Sequence, residues 1–317
     1  MNPRDWLVRY GTVLALGLLL MGFALTAGNF ASPYNLLNIL KQISFLWLIG
    51  AGFTMALMAG ELDLSVASVA SLASVCAAAL LHADAAWPLA VAASLGLGIA
   101  LGTLNGFCVV ALRIPSLIAT LAVASIAEGL SFFITGGVAF VGRLDSAFLA
   151  LGRSRPGGVP APVWWLLLGF VLMQFLVKQT RTGIHLVCTG EAEEGARLAG
   201  IPTRRIKVLA MALSGFWAAF TGLLLTSNLS SASPTIAGDY LMTGIAAVLL
   251  GMTTVEPGKP NLPGTLVGAL IIGVLSNGLT LLGAQYYVQD IVLGVIILAS
   301  VSISSSQLGR AAFGAPR

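Results

Sequence analysis

EAEEGARLAG, residues 191–200, decides how this chain is read. Four of its ten residues, Glu191, Glu193, Glu194 and Arg197, are charged in a protein whose charged share is only 9%. The stretch stands between two long apolar runs. Gly190 precedes it, and Gly200 at its end with Pro202 just beyond is a pairing that stops helices. Glu193 and Arg197 are four apart in the favourable order for an ion pair along a helix. Ala192, Ala196 and Ala199 supply a small-residue face. The spacing predicts a short helix, with RRIK (204–207) then anchoring the next apolar run at a membrane boundary. So short a helix has little stability alone in water. A docking partner would account for it; a solvated loop with one helical turn is the plain alternative.

The surroundings set the class. Of 317 residues, 57% are hydrophobic, and the mean hydropathy is +0.95. Water-soluble domains carry about 25% charged residues, so this composition excludes one. Apolar runs near 20 residues span a hydrocarbon core of about 30 Å. Ten such segments are predicted, at 11–27, 37–59, 64–82, 87–112, 117–135, 161–177, 206–228, 240–254, 262–282 and 287–305. The expected fold is an all-α polytopic membrane protein, one transmembrane domain over residues 1–317. Residues 1–28 look superficially like a signal peptide, but the apolar run lacks a small-x-small cleavage site and reads as a retained first span.

Lys and Arg favour cytoplasmic loops. With the N-terminus inside, twelve of the sixteen fall inside, three (Arg143, Arg153, Arg155) fall in the outer 136–160 loop, and Lys41 lies in a span. Both termini are then cytoplasmic, and so is the 178–205 loop that carries EAEEGARLAG. The net charge of +4 reads as membrane orientation, with no nucleic-acid partner. Cys76, Cys108 and Cys188 are scattered, His82 and His185 are far apart, and neither a disulfide framework nor a metal site is suggested. There is no HExxH, no GxSxG and no GxxxxGK[ST]. The chain has no nucleotide site of its own and binds no cofactor, so any ATP-driven work needs another subunit.

Small and polar residues within the spans carry the remaining information. GIALGTLNG (98–106) sets Gly98, Gly102 and Gly106 on one face, and GTLVG (264–268) repeats the spacing with Gly264 and Gly268. Such faces allow close helix approach in lipid, either within one bundle or at a dimer seam. The two motifs lie five spans apart, which hints at an inverted five-helix repeat. In GELDLS (60–65), Asp63 can cap a helix beginning near Leu64; the alternative is a broken helix, with Asp63 and Ser65 on a solute path. Glu128, twelve residues into its span, lies near mid-membrane and must pair, protonate or face water. Asn105, Asn228 and Asn277 are candidate interhelical hydrogen-bonding residues; Asn105 and Asn277 are also path candidates.

Several stretches, taken in order, resemble a known family. GELDLSVASVASLASV, GTLNGFCVVALRIPSLIATLAVASI, GEAEEGARLAGIPTRRIKVLAMALSGFWAAFTGLLL, IAAVLLGMTT with GTLVGALIIGVLSNGLTLLG, and YYVQDIVLGVIIL are similar to membrane permeases of bacterial ATP-binding-cassette (ABC) importers of the ribose/branched-chain amino acid type, sugar branch. The resemblance covers roughly residues 40–300. It implies the ABC importer permease fold in a bacterial inner membrane. The implied partners are an ABC ATPase subunit that uses ATP–Mg, a second permease copy or paralogue, and a periplasmic solute-binding protein. EAEEGARLAG matches the family's coupling helix, which implies ATPase contacts through Glu191, Glu193, Glu194, Ala196, Arg197 and Gly200. Glu61 and Ala67 depart from the family's Gly-Gly-Ile-Asp-Leu-Ser-Val-Gly stretch, and Leu241, Met242 and Thr243 stand where acidic residues often lie.

Three functions remain open at this stage. The first is an importer permease for a sugar or sugar-like neutral solute. The second is an ion-coupled ten-span secondary carrier, with Glu128 as its coupling carboxylate. The third is a branched-chain amino acid importer permease, for which Glu128, unaccompanied by a deep Lys or Arg, is a poor match to a zwitterion.

Overall fold

The computed structural model describes residues 3–285 and 287–298. The helices are α1 (Pro3–Thr26), α2 (Pro33–Met58), α3 (Val66–His82), α4 (Trp87–Val110), α5 (Ser116–Thr135), α6 (Ser146–Arg153), α7 (Ala161–Gln179), α8 (Arg181–Glu191), α9 (Glu193–Leu198), α10 (Thr203–Leu229), α11 (Asp239–Gly251) and α12 (Leu262–Leu281). A further apolar helix, α13, covers Tyr287–Leu298. Strands β1 (Phe140–Val141) and β2 (Ser231–Ala232) form one antiparallel pair.

The helix starts follow local chemistry. Ser32 accepts from the Asn35 N–H and Pro33 opens α2, Thr180 accepts from the Gly183 N–H at α8, and Asn261 accepts from the Gly264 N–H at α12. Each side chain satisfies a donor that the first turn leaves unpaired. Each of the ten sequence-predicted segments falls on an apolar helix. Six, namely α2, α4, α5, α7, α10 and α12, are long and apolar enough to cross a membrane; the Leu14–Thr26 part of α1, α3, α11 and α13 are shorter. The last segment, 287–305, runs partly outside the described residues, as do Arg310 and Arg317.

α2 and α10 form the centre of the bundle, with Trp47, Leu48, Ile49, Met211 and Leu224 almost fully buried. The glycine face of α4 is used inside this one chain. A Cβ at Gly98 would strike the Gly215 carbonyl, one at Gly102 the Met211 carbonyl, and one at Gly106 would lie 2.7 Å from the Val208 Cα. Without side chains at these positions the α4 and α10 backbones touch, and dispersion contacts replace the hydrophobic effect that lipid does not supply. Gly264 and Gly268 do the same against Gly251 and Ala247 of α11. The two motif helices also have matching neighbours: α4 packs on α3 and α10, and α12 on α11 and α2. Counted over the apolar helices these partners are five apart, as the repeat hint required.

The connections gather at two ends. At one, the α2–α3 turn, the α4–α5 loop, α8, and the 252–263 segment surround a cavity of about 1130 Å³. At the other, β1 pairs with β2, and His82, at the end of α3, lies with Nε2 2.9 Å from the Gly142 carbonyl, donating in its Nε2–H tautomer. Arg153 Nε donates to the Asn228 carbonyl at 3.1 Å on this second end. The first end holds Arg113, Lys178, Lys207 and Lys259 and is here called the basic end.

Candidate functional site

At the basic end, α2 stops at a turn whose Gly60 has φ +81°, a left-handed conformation that favours glycine. The following residues, 61–65, form no helix, and their polar groups are caught by neighbours. The Leu62 N–H donates to Ser116 Oγ and the Leu64 N–H to Thr120 Oγ1, both at 3.2 Å, and so fasten the turn to the first turns of α5. α3 begins at Val66, two residues later than the sequence suggested. Asp63 consequently does not cap it: Asp63 Oδ1 accepts the Ser65 N–H at 3.0 Å and the Ser65 hydroxyl at 2.6 Å. Asn105 Nδ2 donates to Ser65 Oγ at 2.8 Å and approaches Asp63 Oδ1 at 3.5 Å.

Three of the path candidates, Asp63, Ser65 and Asn105, are thus brought into one cluster, and all three are buried. Asp63 Oδ2 and Asn105 Oδ1 have no hydrogen-bond partner among the described residues. Burial pushes the Asp63 carboxyl above its ordinary range, against the hydrogen bonds from Ser65. The other two candidates lie elsewhere. Asn277 exchanges amide hydrogen bonds with Asn35, at 2.9 and 3.0 Å, and so joins α12 to α2. Glu128 is on the outer surface of α5, in a stripe with Leu121 and Phe132, which are 48% and 43% exposed. A carboxylate amid such residues has to face water or another protein surface.

The loop carrying EAEEGARLAG consists of two helices. α8 was not anticipated; it buries Gly183, Leu186 and Thr189 at intervals of three. Ala192, at φ −154°, breaks the chain between α8 and α9, so the charged helix covers Glu193–Leu198, shorter than 191–200. Glu191 closes α8, and Gly200, at φ +82°, lies beyond α9. Within α9, Glu194 and Arg197 pair at 2.6 Å. Ala196 is buried against its own chain, whereas Leu198 is 80% exposed. The face of α9 open to a partner therefore carries Glu194, Arg197 and Leu198.

Lys207, in the second turn of α10, joins this loop to the GELDLS turn. Its Nζ lies 2.7 Å from Glu61 Oε1 and 2.7 Å from Glu193 Oε2, with side-chain exposures of 14% for Lys207, 8% for Glu61 and 50% for Glu193. Removing one partner from a buried pair costs about 3–5 kcal/mol, because a charge is left uncompensated. Beside it, the end of α8 meets the same turn backbone to backbone. A Cβ on Gly190 would strike the Met58 carbonyl and come within 3.0 Å of the Gly60 nitrogen. Two exposed pairs complete the end: Lys178–Glu256 at 2.7 Å, and Lys259–Glu191. The hydrogen bond from Lys259 to Glu191 holds that ammonium above the ordinary lysine value.

From the sequence alone, Lys207 reads as an interfacial anchor and Glu61 as a departure from a motif. Their meeting depends on the fold. The usable signal was a carboxylate beside a helix break and a lysine at the start of an apolar helix.

The family described as "Branched-chain amino acid transport system / permease component" matches residues 35–301. The chain is 36% identical over 308 residues to the "Ribose import permease protein RbsC" of Escherichia coli (strain K12), covering 96% of each. It is 35% identical to the protein of the same name from Bacillus subtilis (strain 168), covering 92% of this chain and 91% of the relative. The "L-arabinose transport system permease protein AraH" of Escherichia coli (strain K12) is 34% identical, with 92% of this chain and 89% of the relative covered. With a family match running through nearly every helix described above, the chain belongs to the branched-chain amino acid transport system permease family.

Proposed function

We infer that this chain is the transmembrane permease subunit of an ATP-driven ABC importer for a sugar or sugar-like neutral solute, a multi-pass protein of the bacterial inner membrane. The observation that carries this reading is near end-to-end similarity to permeases named for ribose and L-arabinose import. The subunit has no ATPase site; a partner ATPase uses ATP–Mg, and a periplasmic solute-binding protein delivers the solute. The 178–205 loop is the cytoplasmic handle and α9 its coupling helix, meeting the ATPase through Glu194 and Arg197, with Glu191 and Gly200 at its flanks. Glu193 and Ala196 serve that contact from behind, since one is tied to Lys207 and the other is buried. A second permease, identical or paralogous, lies against the outer stripe of α5, so that Glu128 borders the solute path. The Asp63–Ser65–Asn105 cluster supports that path from inside the bundle.

The test uses proteoliposomes containing the permease, its ATPase and its binding protein, with a panel of labelled pentoses and hexoses. Uptake is expected to require ATP hydrolysis and to survive an ionophore. Deletion of 193–198 is expected to abolish both uptake and ATPase co-purification while sparing membrane insertion. Uptake that an ionophore collapses, and that continues without the ATPase, would reject the reading in favour of an ion-coupled carrier.

A further inference from the structure

We propose that Glu61 and Lys207 form the joint that carries displacement of α9 into the membrane helices, with Glu61 as the permanent counter-ion and Glu193 as the releasable one. The proposal rests on the importer reading above and assigns positioning roles to two residues within it.

α9 has six residues and no side-chain cap on its first turn, so its position is set by what it holds. It is held by buried Ala196 and by Glu193, which reaches Lys207. Lys207 needs only one carboxylate to be balanced, yet it has two at equal distance. The arrangement has a physical use. If α9 swings outward, Glu193 leaves with it, and Glu61 still neutralises the largely buried ammonium. With a single counter-ion the same motion would strand a buried charge. The triad therefore has two charge-satisfied arrangements, the requirement for an element that relays a change of state.

The fixed end leads onward. Glu61 is two residues from Asp63, and Leu62 and Leu64 on either side of Asp63 are fastened to α5 through Ser116 and Thr120. Ser65, immediately before α3, is bonded to α4 through Asn105. A pull on Glu61 thus reaches α3, α4 and α5 at once. The Gly60–Gly190 contact supplies the pivot: two backbones touch there with no side chain to lock them.

The experiment measures solute imported per ATP hydrolysed by the reconstituted complex, alongside ATPase co-purification. Glu61→Gln is expected to assemble and to hydrolyse ATP within about twofold of the unaltered complex, while solute per ATP falls about tenfold, the size of an ordinary coupling effect. Lys207→Arg keeps the charge and is expected to stay within about twofold on both measures. Glu61→Asp keeps the charge but draws the carboxylate back by one carbon, and is expected to lower the ratio by a smaller factor; it serves also if the Gln variant fails to assemble. An unchanged ratio in both Glu61 variants overturns the joint, as does a loss in Lys207→Arg as large as in Glu61→Gln. An unaltered complex that hydrolyses ATP yet imports no sugar overturns the importer reading, and the joint with it.

Discussion

The α4–α10 seam and the α8 contact on the α2–α3 turn are both built from glycines that let backbones touch, yet they are opposite kinds of contact. The seam repeats the contact at Gly98, Gly102 and Gly106 against Gly215, Met211 and Val208. It is buried at Gly98, Gly102, Gly106, Met211 and Gly215 and distributed over three turns. The α8 contact on the turn touches backbone to backbone once, at Gly190 against Met58 and Gly60, and beside it stand the ionic, partly wet ties of Lys207. Repetition at spacing four fixes two helices as one body, because no single contact can slip without the rest. A lone backbone contact with shared counter-ions positions a segment without welding it. The membrane half of the molecule is built to stay together, and the loop at its basic end is built to move against it.

The largest expected effect sharpens this contrast from the rigid side. Gly102→Leu puts a side chain where the Met211 carbonyl and the Ala212 Cα already are. Overpacking of this kind costs about 3 kcal/mol or more. The expected result is loss of folded protein, read as the melting temperature of the detergent-solubilised chain. Gly96→Ala is the matched control on the same helix: its new Cβ meets nothing within 4 Å, and helix propensity alone predicts a neutral or slightly higher melting temperature. Equal damage from both would mean that the seam is not what holds α4 to α10.

Next in size is Gly190→Ala. The added methyl has to displace the Met58 carbonyl, but it is one carbon where Gly102→Leu adds a whole branched side chain. The expected cost is about 1–2 kcal/mol, in the lower part of the usual overpacking range. Uptake per ATP is expected to fall much further than the melting temperature does. The mirror result, a melting temperature as low as that of Gly102→Leu with transport per folded molecule intact, would make the joint a structural seam like the other and break the comparison.

How much of this was legible in the sequence depends on the distance over which each feature is encoded. The apolar segments and the glycine spacing at 98–106 are local, and each found its helix or its close contact. The charged helix at 193–198 was also visible locally, although Ala192 shortened it. α8 is masked by the charge that dominates the 178–205 break, although its buried residues recur three apart, at Gly183, Leu186 and Thr189. The contacts made by Asp63, Asn105, Glu61 and Lys207 were not legible. Asp63 and Asn105 stand out as polar residues in costly surroundings, Lys207 as an interfacial anchor and Glu61 as a departure from a motif, but nothing in a single sequence says that Lys207 meets Glu61. Asn277 shows the converse. A candidate both for an interhelical hydrogen bond and for the path, it makes the first kind of contact with Asn35, a pairing whose partner is fixed only once α2 and α12 are side by side.

The smallest expected effect tests whether burial, and not charge alone, distinguishes the joint. Lys259–Glu191 lies at the same end of the bundle as the triad and ties the end of α8 to the 252–263 segment, but both side chains are 48% exposed. Exposed pairs contribute about 0–1 kcal/mol, so Lys259→Gln is expected to shift the melting temperature barely and to leave solute per ATP unchanged. The Glu191 hydrogen bond raises the Lys259 value above 10.5. A raised lysine contributes stability that is complete below the unfolded value and is lost only as pH rises through the folded one. Between pH 6 and 9 the difference between Lys259→Gln and the parent should accordingly be flat. Salt should erase it, since screening acts over about 10 Å at 0.1 M and about 3 Å at 1 M, whereas the largely enclosed Glu61–Lys207 contact should lose far less. If Lys259→Gln uncouples transport as strongly as Glu61→Gln, any charge bridging this loop suffices, and the enclosed position of Lys207 between two carboxylates has no special role.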